Sequence, residues 1–145
     1  MVKFFQLSLG NLLSVKPLVK LFRTFTCLHT LKITNINLPK IHFMALDNYL
    51  LLNNYMRKLS LVAVKMNVDS LREISGTLSE LPYLEKLDFS NNYLREGGCR
   101  EVSQIIYSSR TLKKVILDNN ESGEEGLVTI LKAALEFKSL SKLSY

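Results

Sequence analysis

Leu28, Met56, Leu84 and Leu112 stand 28 residues apart, and each opens the same pattern of apolar positions. In "LEKLDFSNNYL" the pattern is Leu84, Leu87, Phe89, Asn92 and Leu94; one period on, in "LKKVILDNNES", it is Leu112, Val115, Leu117, Asn120 and Ser122. One period back it is Met56, Leu59, Leu61, Val64 and Met66, and before that Leu28, Leu31, Ile33, Ile36 and Leu38. A looser unit of 24 residues precedes these, with Phe4, Leu7, Leu9 and Leu12, and a partial unit with Leu140, Leu143 and Tyr145 follows. Self-similarity at such a period implies stacked units, each unable to bury its own apolar face. The expected organisation is one repeat domain over residues 1–145, with units starting near 4, 28, 56, 84 and 112 and a partial one from 140.

Each unit has two halves of different periodicity. Alternating apolar positions such as Leu87 and Phe89 predict a short strand with one buried face. In "LREGGCREVSQIIYSSRTL" the spacing of Leu94, Val102, Ile105 and Ile106 is helical, as is that of Leu127, Ile130, Leu131, Ala134 and Leu135 in the next unit, so these residues are expected to face inward. Strand then helix, repeated, predicts parallel strands side by side with helices outside. Gly98 and Gly126 fall near the predicted helix starts, for close packing or for a turn conformation that other residues adopt at a cost. Glu124 and Glu125 suit a helix amino end, so "SGEEG" reads as a helix start; the lysine of a phosphate loop is absent.

These units resemble leucine-rich repeats, and the 28-residue length, clearest in "DNNESGEEGLVTILKAALEFKSL", resembles the ribonuclease-inhibitor-like subfamily. The resemblance covers nearly the whole chain. It implies an α/β solenoid of about five repeats, with a curved parallel β-sheet on the concave side and helices on the convex side. Such repeats occur in intracellular receptors, inhibitors and GTPase regulators. The inward asparagine that bonds neighbouring turns in such repeats is present as Asn92 and Asn120 but replaced by Ile36 and Val64, so the earlier turns must be satisfied by other means. Asn120 also begins an "NES" glycosylation sequon, which an inward position would keep from the glycosylation machinery.

The outward strand positions are the ones left for function. The residue before each second leucine-type position is Gln6, Thr30, Lys58, Lys86, Lys114 and Lys142. Two residues on, facing the same way, come Ser8, Lys32, Ser60, Asp88, Ile116 and Ser144, followed by Gly10, Thr34, Val62, Ser90 and Asp118. Strands about 4.8 Å apart would place neighbouring lysines so that each pair repels by about 1 kcal/mol in water, which a fold tolerates. Two readings follow: lysine as a solubilising choice with Asp88 and Asp118 as partial counter-charges, or a cationic stripe for an acidic protein surface with Ile116 as an apolar anchor. Lys58, Lys86, Lys114, Lys142, Asp88 and Ile116 are the candidate partner-binding residues.

Charge is uneven along the chain. Residues 1–55 hold Lys3, Lys16, Lys20, Arg23, Lys32 and Lys40 against Asp47, which is +5 of the net +6. In "SVKPLVKLFRTF" Lys16, Lys20 and Arg23 share an outer helical edge, with Leu18, Leu21 and Phe22 turned inward. A solvated helix face explains that edge more simply than nucleic acid or an acidic membrane.

Other functional classes find little support. At 47% hydrophobic and 22% charged residues, composition is that of a packed domain. The apolar start is broken at Gln6, Ser8, Gly10 and Asn11 before a secretory segment forms, and "FMALDNYLLLNNY" is interrupted at Asp47, Asn48 and Asn53 before spanning length. Cys27 and Cys99 are too few for a disulfide or zinc framework; both read as small buried side chains in a reducing, cytoplasmic setting. His29 and His42 belong to no catalytic or metal-ligand motif, and no cofactor is expected.

The expected function is a protein-interaction module, not an enzyme. A ligand-sensing piece of a NOD-like receptor, a GTPase-activating or regulatory leucine-rich-repeat protein and a bacterial effector remain alternatives, resting on the resemblance. Solenoids cap their terminal units with polar surface. With Met1 at the first strand and Tyr145 inside the last, the expectation is either a piece of a longer array or self-association through uncovered ends.

Overall fold

The computed structural model describes residues 5–10, 16–137 and 140–145, the first six by their backbone. Met1, Lys3, Phe4, Asn11 and Leu12 of the sequence reading lie outside the described residues. Among those described, strands and helices alternate: β1 (Phe5–Gly10), α1 (Lys16–Thr24), β2 (Leu28–Thr34), α2 (Lys40–Leu52), β3 (Lys58–Val62), α3 (Val68–Glu80), β4 (Lys86–Asp88), α4 (Arg95–Ser108), β5 (Lys114–Ile116), α5 (Gly123–Glu136) and β6 (Lys142–Ser144). The strands form one sheet in sequence order, every neighbouring pair parallel. A parallel pair needs a crossover, and each helix supplies one.

Register follows the period. Leu31 lies opposite Leu59, Leu59 opposite Leu87, Leu87 opposite Val115 and Val115 opposite Leu143. Between β1 and β2 the step is Leu7 to Leu31, with an irregularity between Phe5 and Gln6. Leu28, Met56, Leu84 and Leu112 are all fully buried, one per coil. The helices close the core from the other side with stripes at three- and four-residue spacing: Phe43, Leu46 and Leu50 in α2, Leu71, Ile74 and Leu78 in α3, Val102 and Ile106 in α4, Ile130 and Ala133 in α5. Each of the larger side chains contributes roughly 1.5–3 kcal/mol by leaving water.

The turns after the strands repeat a left-handed residue at one-period spacing: Asn35, Ala63, Asn91 and Asn119, with φ of 55°, 54°, 57° and 58°. Asparagine tolerates that conformation better than alanine does. The next residue points inward. Asn120 donates to the Phe89 and Leu117 carbonyls at 3.0 and 2.7 Å. Where Val64 stands in its place, the main chain takes over for the preceding coil: Leu38 N–H, equivalent to the Met66 N–H that Asn92 accepts, donates to the Val64 carbonyl at 3.1 Å.

Helix starts are set locally. The Asn67 side chain accepts the Ser70 N–H at 3.0 Å and caps α3, which carries Asp69 in its first turn. Gly98 and Gly126 lie in the first turns of α4 and α5, and close packing requires them. A Cβ on Gly98 would stand 2.5 Å from Leu94 Cβ, and one on Gly126 would stand 2.9 Å from Ser122 Cβ and 3.1 Å from Cys99 Sγ.

Three side chains depart from the expected burial. Leu131 and Leu135 are 42% and 83% exposed. A step of eight residues from Leu127 turns about 80° past the starting direction, so Leu135 leaves the inner stripe. Leu131 lies one period after Ser103, which is buried with its Oγ 3.4 Å from the Thr129 carbonyl of the next helix; no described helix covers Leu131 in the same way. Cys27 is half-buried, sitting in the connection after α1, whereas Cys99 is buried.

Candidate functional site

Strand pairing sets Thr30, Lys58, Lys86, Lys114 and Lys142 side by side across β2 to β6. Because side chains alternate along a strand, the buried Leu59, Leu87 and Val115 force these lysines to the opposite face. Lys58 and Lys142 are exposed, and Lys86 and Lys114 half-buried. Two residues on, Ser60, Asp88, Ile116 and Ser144 form the adjoining row. Ile116 is half-buried between Asp88 and Ser144, presenting part of its side chain as an apolar spot among polar neighbours.

Asp88 breaks the stripe. Its Oδ2 lies 3.5 Å from Lys86 Nζ, and its Oδ1 accepts the Ser90 hydroxyl at 2.7 Å. Lys86 is therefore neutralised within its own strand. Among the described residues no carboxylate pairs with Lys58, Lys114 or Lys142. Asp118, two residues past β5, accepts the Ser144 hydroxyl at 2.7 Å. The surface carries four cations without carboxylate partners among the described residues, Lys32, Lys58, Lys114 and Lys142, around the internally paired Lys86, with Ile116 beside Lys114.

A further charged row lies one residue earlier: His29, Arg57, Glu85, Lys113 and Ser141. Glu85 Oε1 lies 3.5 Å from Arg57 and 3.3 Å from Lys113, so one carboxylate is shared by cations of the coils on either side. With Tyr83, Arg110 and Thr111 these three line a cleft of about 350 Å³ at the edge of the strand face. The doublets Arg57-Lys58, Glu85-Lys86 and Lys113-Lys114 carry this row in the sequence, and counting by 28 from Arg57 would have found it. His29 is held below the ordinary histidine pKa by burial first, then by Arg57 and Lys58, with Glu85 opposing.

Among the described residues no His, Cys, Asp or Glu cluster of three or more could hold a metal ion, and no helix is long and apolar enough to cross a membrane. Cys99 is a thiol raised in pKa by its burial, and it lies among Gly126, Ser122 and Tyr145 in the core side of the last coils. What the strand face offers chemically is charge and shape.

No family model matches the chain. Human protein NLRC5 is 28% identical over 85 residues, which is 59% of this chain and 5% of that protein's length. The C-terminal domain of Caenorhabditis elegans tropomodulin superposes with a TM-score of 0.76 at 18% identity, over 90% of this chain and 81% of that one. Actin-binding site 2 of leiomodin-1 superposes with a TM-score of 0.73 at 16% identity, over 91% and 79%. Taken with the one-period register, these likenesses establish the fold: the chain is an α/β leucine-rich-repeat solenoid.

Proposed function

We propose that this chain is a protein-binding module of the ribonuclease-inhibitor-like kind, non-enzymatic and cytoplasmic, whose strand face takes an acidic protein surface. The carrying observation is that Lys58, Lys114 and Lys142 stand in one register row without carboxylate partners among the described residues. Such a row attracts negative potential and orients the partner before contact. Ile116, beside Lys114, supplies an apolar contact, and the Lys86–Asp88 pair a fixed polar one. The leiomodin-1 likeness, to a segment named an actin-binding site, supports a binding role through fold analogy.

The NLRC5 likeness favours a second reading, in which the 1–145 array is a segment of a longer receptor's repeat region.

The test is affinity capture from cells with the chain and with its Lys58→Glu, Lys86→Glu, Lys114→Glu variant, both checked for the same melting temperature. Partners captured by the former and lost by the latter are expected. An unchanged set would remove the strand face from the reading.

A further inference from the structure

At four outer positions α2 is apolar throughout, where α3 and α4 are polar, charged or glycine and α5 keeps one apolar residue, Val128. At equivalent positions, Ile41 is followed by Asp69, Gly97 and Glu125; Met44 by Arg72, Arg100 and Val128; Ala45 by Glu73, Glu101 and Thr129; Leu52 by Glu80, Ser108 and Glu136. The later helices use these positions to pair across coils, Arg72 with Glu101 at 2.9 Å and Arg100 with Glu125 at 2.8 Å. On α2 they are apolar and open, Ile41 63% and Leu52 86% exposed. Phe43, Leu46 and Leu50 already cover the core from the opposite side, so α2 is apolar on two faces. A helix apolar all round is normally a buried one.

Beside this surface runs a groove of about 440 Å³ between α1 and α2, walled by Val19 and Phe22 on one side and Ala45 and Leu52 on the other. Phe22 stacks on Tyr49 at 4.7 Å within it. Asn53 also lines it; its amide donates to the Leu28 carbonyl and the Tyr49 hydroxyl at 3.0 Å, while its buried Oδ1 has no donor among the described residues. Arg23 stands at the rim, with Lys20 one turn earlier on α1, and among the described residues neither has a carboxylate partner. Asp47, the one acid of residues 1–55, is occupied by the Thr77 hydroxyl at 2.6 Å.

We infer that the α1–α2 surface is a second docking site, separate from the strand face, for an acidic amphipathic helix of a partner protein. The groove between two neighbouring helices accepts the side-chain ridge of a third. Acidic residues flanking that ridge would meet Lys20 and Arg23. A second copy of this chain would set like charges against each other at the rim. A flat lipid surface would leave the groove unfilled.

The probe is a fluorescein-labelled designed helix of about 18 residues, five turns, with leucines at three- and four-residue spacing and glutamates elsewhere. Its counterpart carries lysine for glutamate. Fluorescence anisotropy should show the acidic helix binding and the basic one at least about tenfold weaker. Leu52→Ser and Arg23→Glu, both at exposed positions, should each weaken the acidic helix by about tenfold. Lys132→Glu on α5, the same charge change elsewhere, should not, and neither should the strand-face triple variant, which separates this site from the one proposed above. Equal binding of the two helices, or equal loss with Lys132→Glu and Arg23→Glu, would overturn the inference. So would sedimentation with phosphatidylserine vesicles that Leu52→Ser abolishes without binding of the acidic helix. Self-association that Leu52→Ser abolishes would likewise overturn it, assigning the surface to a second copy.

Discussion

Asn92 and Val64 lie one coil apart, and the Asn92 Oδ1 accepts the Val64 N–H at 3.0 Å. The same oxygen accepts Met66 N–H at 3.0 Å, and the amide donates to Leu61, Phe89 and Ser90 carbonyls at 2.7, 2.8 and 3.1 Å. One side chain thus satisfies its own turn and the turn of the preceding coil, whose own equivalent position is valine. Asn92→Ala would leave at least two buried N–H groups without acceptors, each costing about 1–3 kcal/mol. A loss of about 3 kcal/mol or more in urea unfolding is expected. Asn120→Ala should cost less, because its Oδ1 holds Leu94 N–H at the longer distance of 3.4 Å. Equal losses would mean that the two asparagines do not differ in the way the turns suggest.

Two glycines should respond oppositely to alanine. A Cβ on Gly76, inside α3, meets nothing within 4 Å, so Gly76→Ala gains helix propensity and should stabilise by about 0.5–1 kcal/mol. At Gly98 the added carbon would stand 2.5 Å from Leu94 Cβ, and the buried Leu94 must shift for it. Gly98→Ala should destabilise by about 1–3 kcal/mol. Melting temperatures of the two variants measure both.

Ala63 occupies the left-handed position that asparagine fills in the other described coils, at φ 54°. Its N–H donates to the Ser90 carbonyl at 3.0 Å, so the conformation is held in place by the neighbouring coil. Ala63→Gly should stabilise by about 0.5–1 kcal/mol, since the left-handed strain on alanine exceeds the extra freedom that glycine loses on folding. Ala63→Asn should move in the same direction. A drop in stability for both would indicate that the methyl group packs usefully where it stands.

The period of 28 was enough to set Leu59 opposite Leu87 and Lys58 beside Lys86, because in a parallel stack register is a matter of counting. What lies off the period was hidden. Asn92 serving Val64 needs the contact between coils, which no single unit contains. Leu135 reads as inward by a four-residue count, yet 3.6 residues per turn carries it outward. The apolar outside of α2 is masked in the sequence because Ile41, Met44 and Leu52 merge with the core residues Phe43, Leu46 and Leu50 into one apolar run. The pairing of Lys86 with Asp88 follows from their two-residue spacing on one strand face, but which oxygen serves Lys86 and which serves Ser90 is set by the turn.

His29 should give the molecule an acid-sensitive stability. Burial, then Arg57 and Lys58, disfavour its charged form in the folded state, so its folded pKa lies below the ordinary 6.5. Well above 6.5 the imidazole is neutral in both states and contributes no proton term to folding. As pH falls through 6.5 the unfolded chain takes up a proton that the folded chain resists, and stability declines until the folded pKa is passed. The melting temperature should therefore fall between about pH 7 and pH 5. His29→Gln, which keeps a polar side chain and cannot titrate, should flatten that decline relative to the unaltered chain. Glu85→Gln should steepen it, because Glu85 is the group that favours the imidazolium. Parallel slopes for all three proteins would place the acid sensitivity elsewhere.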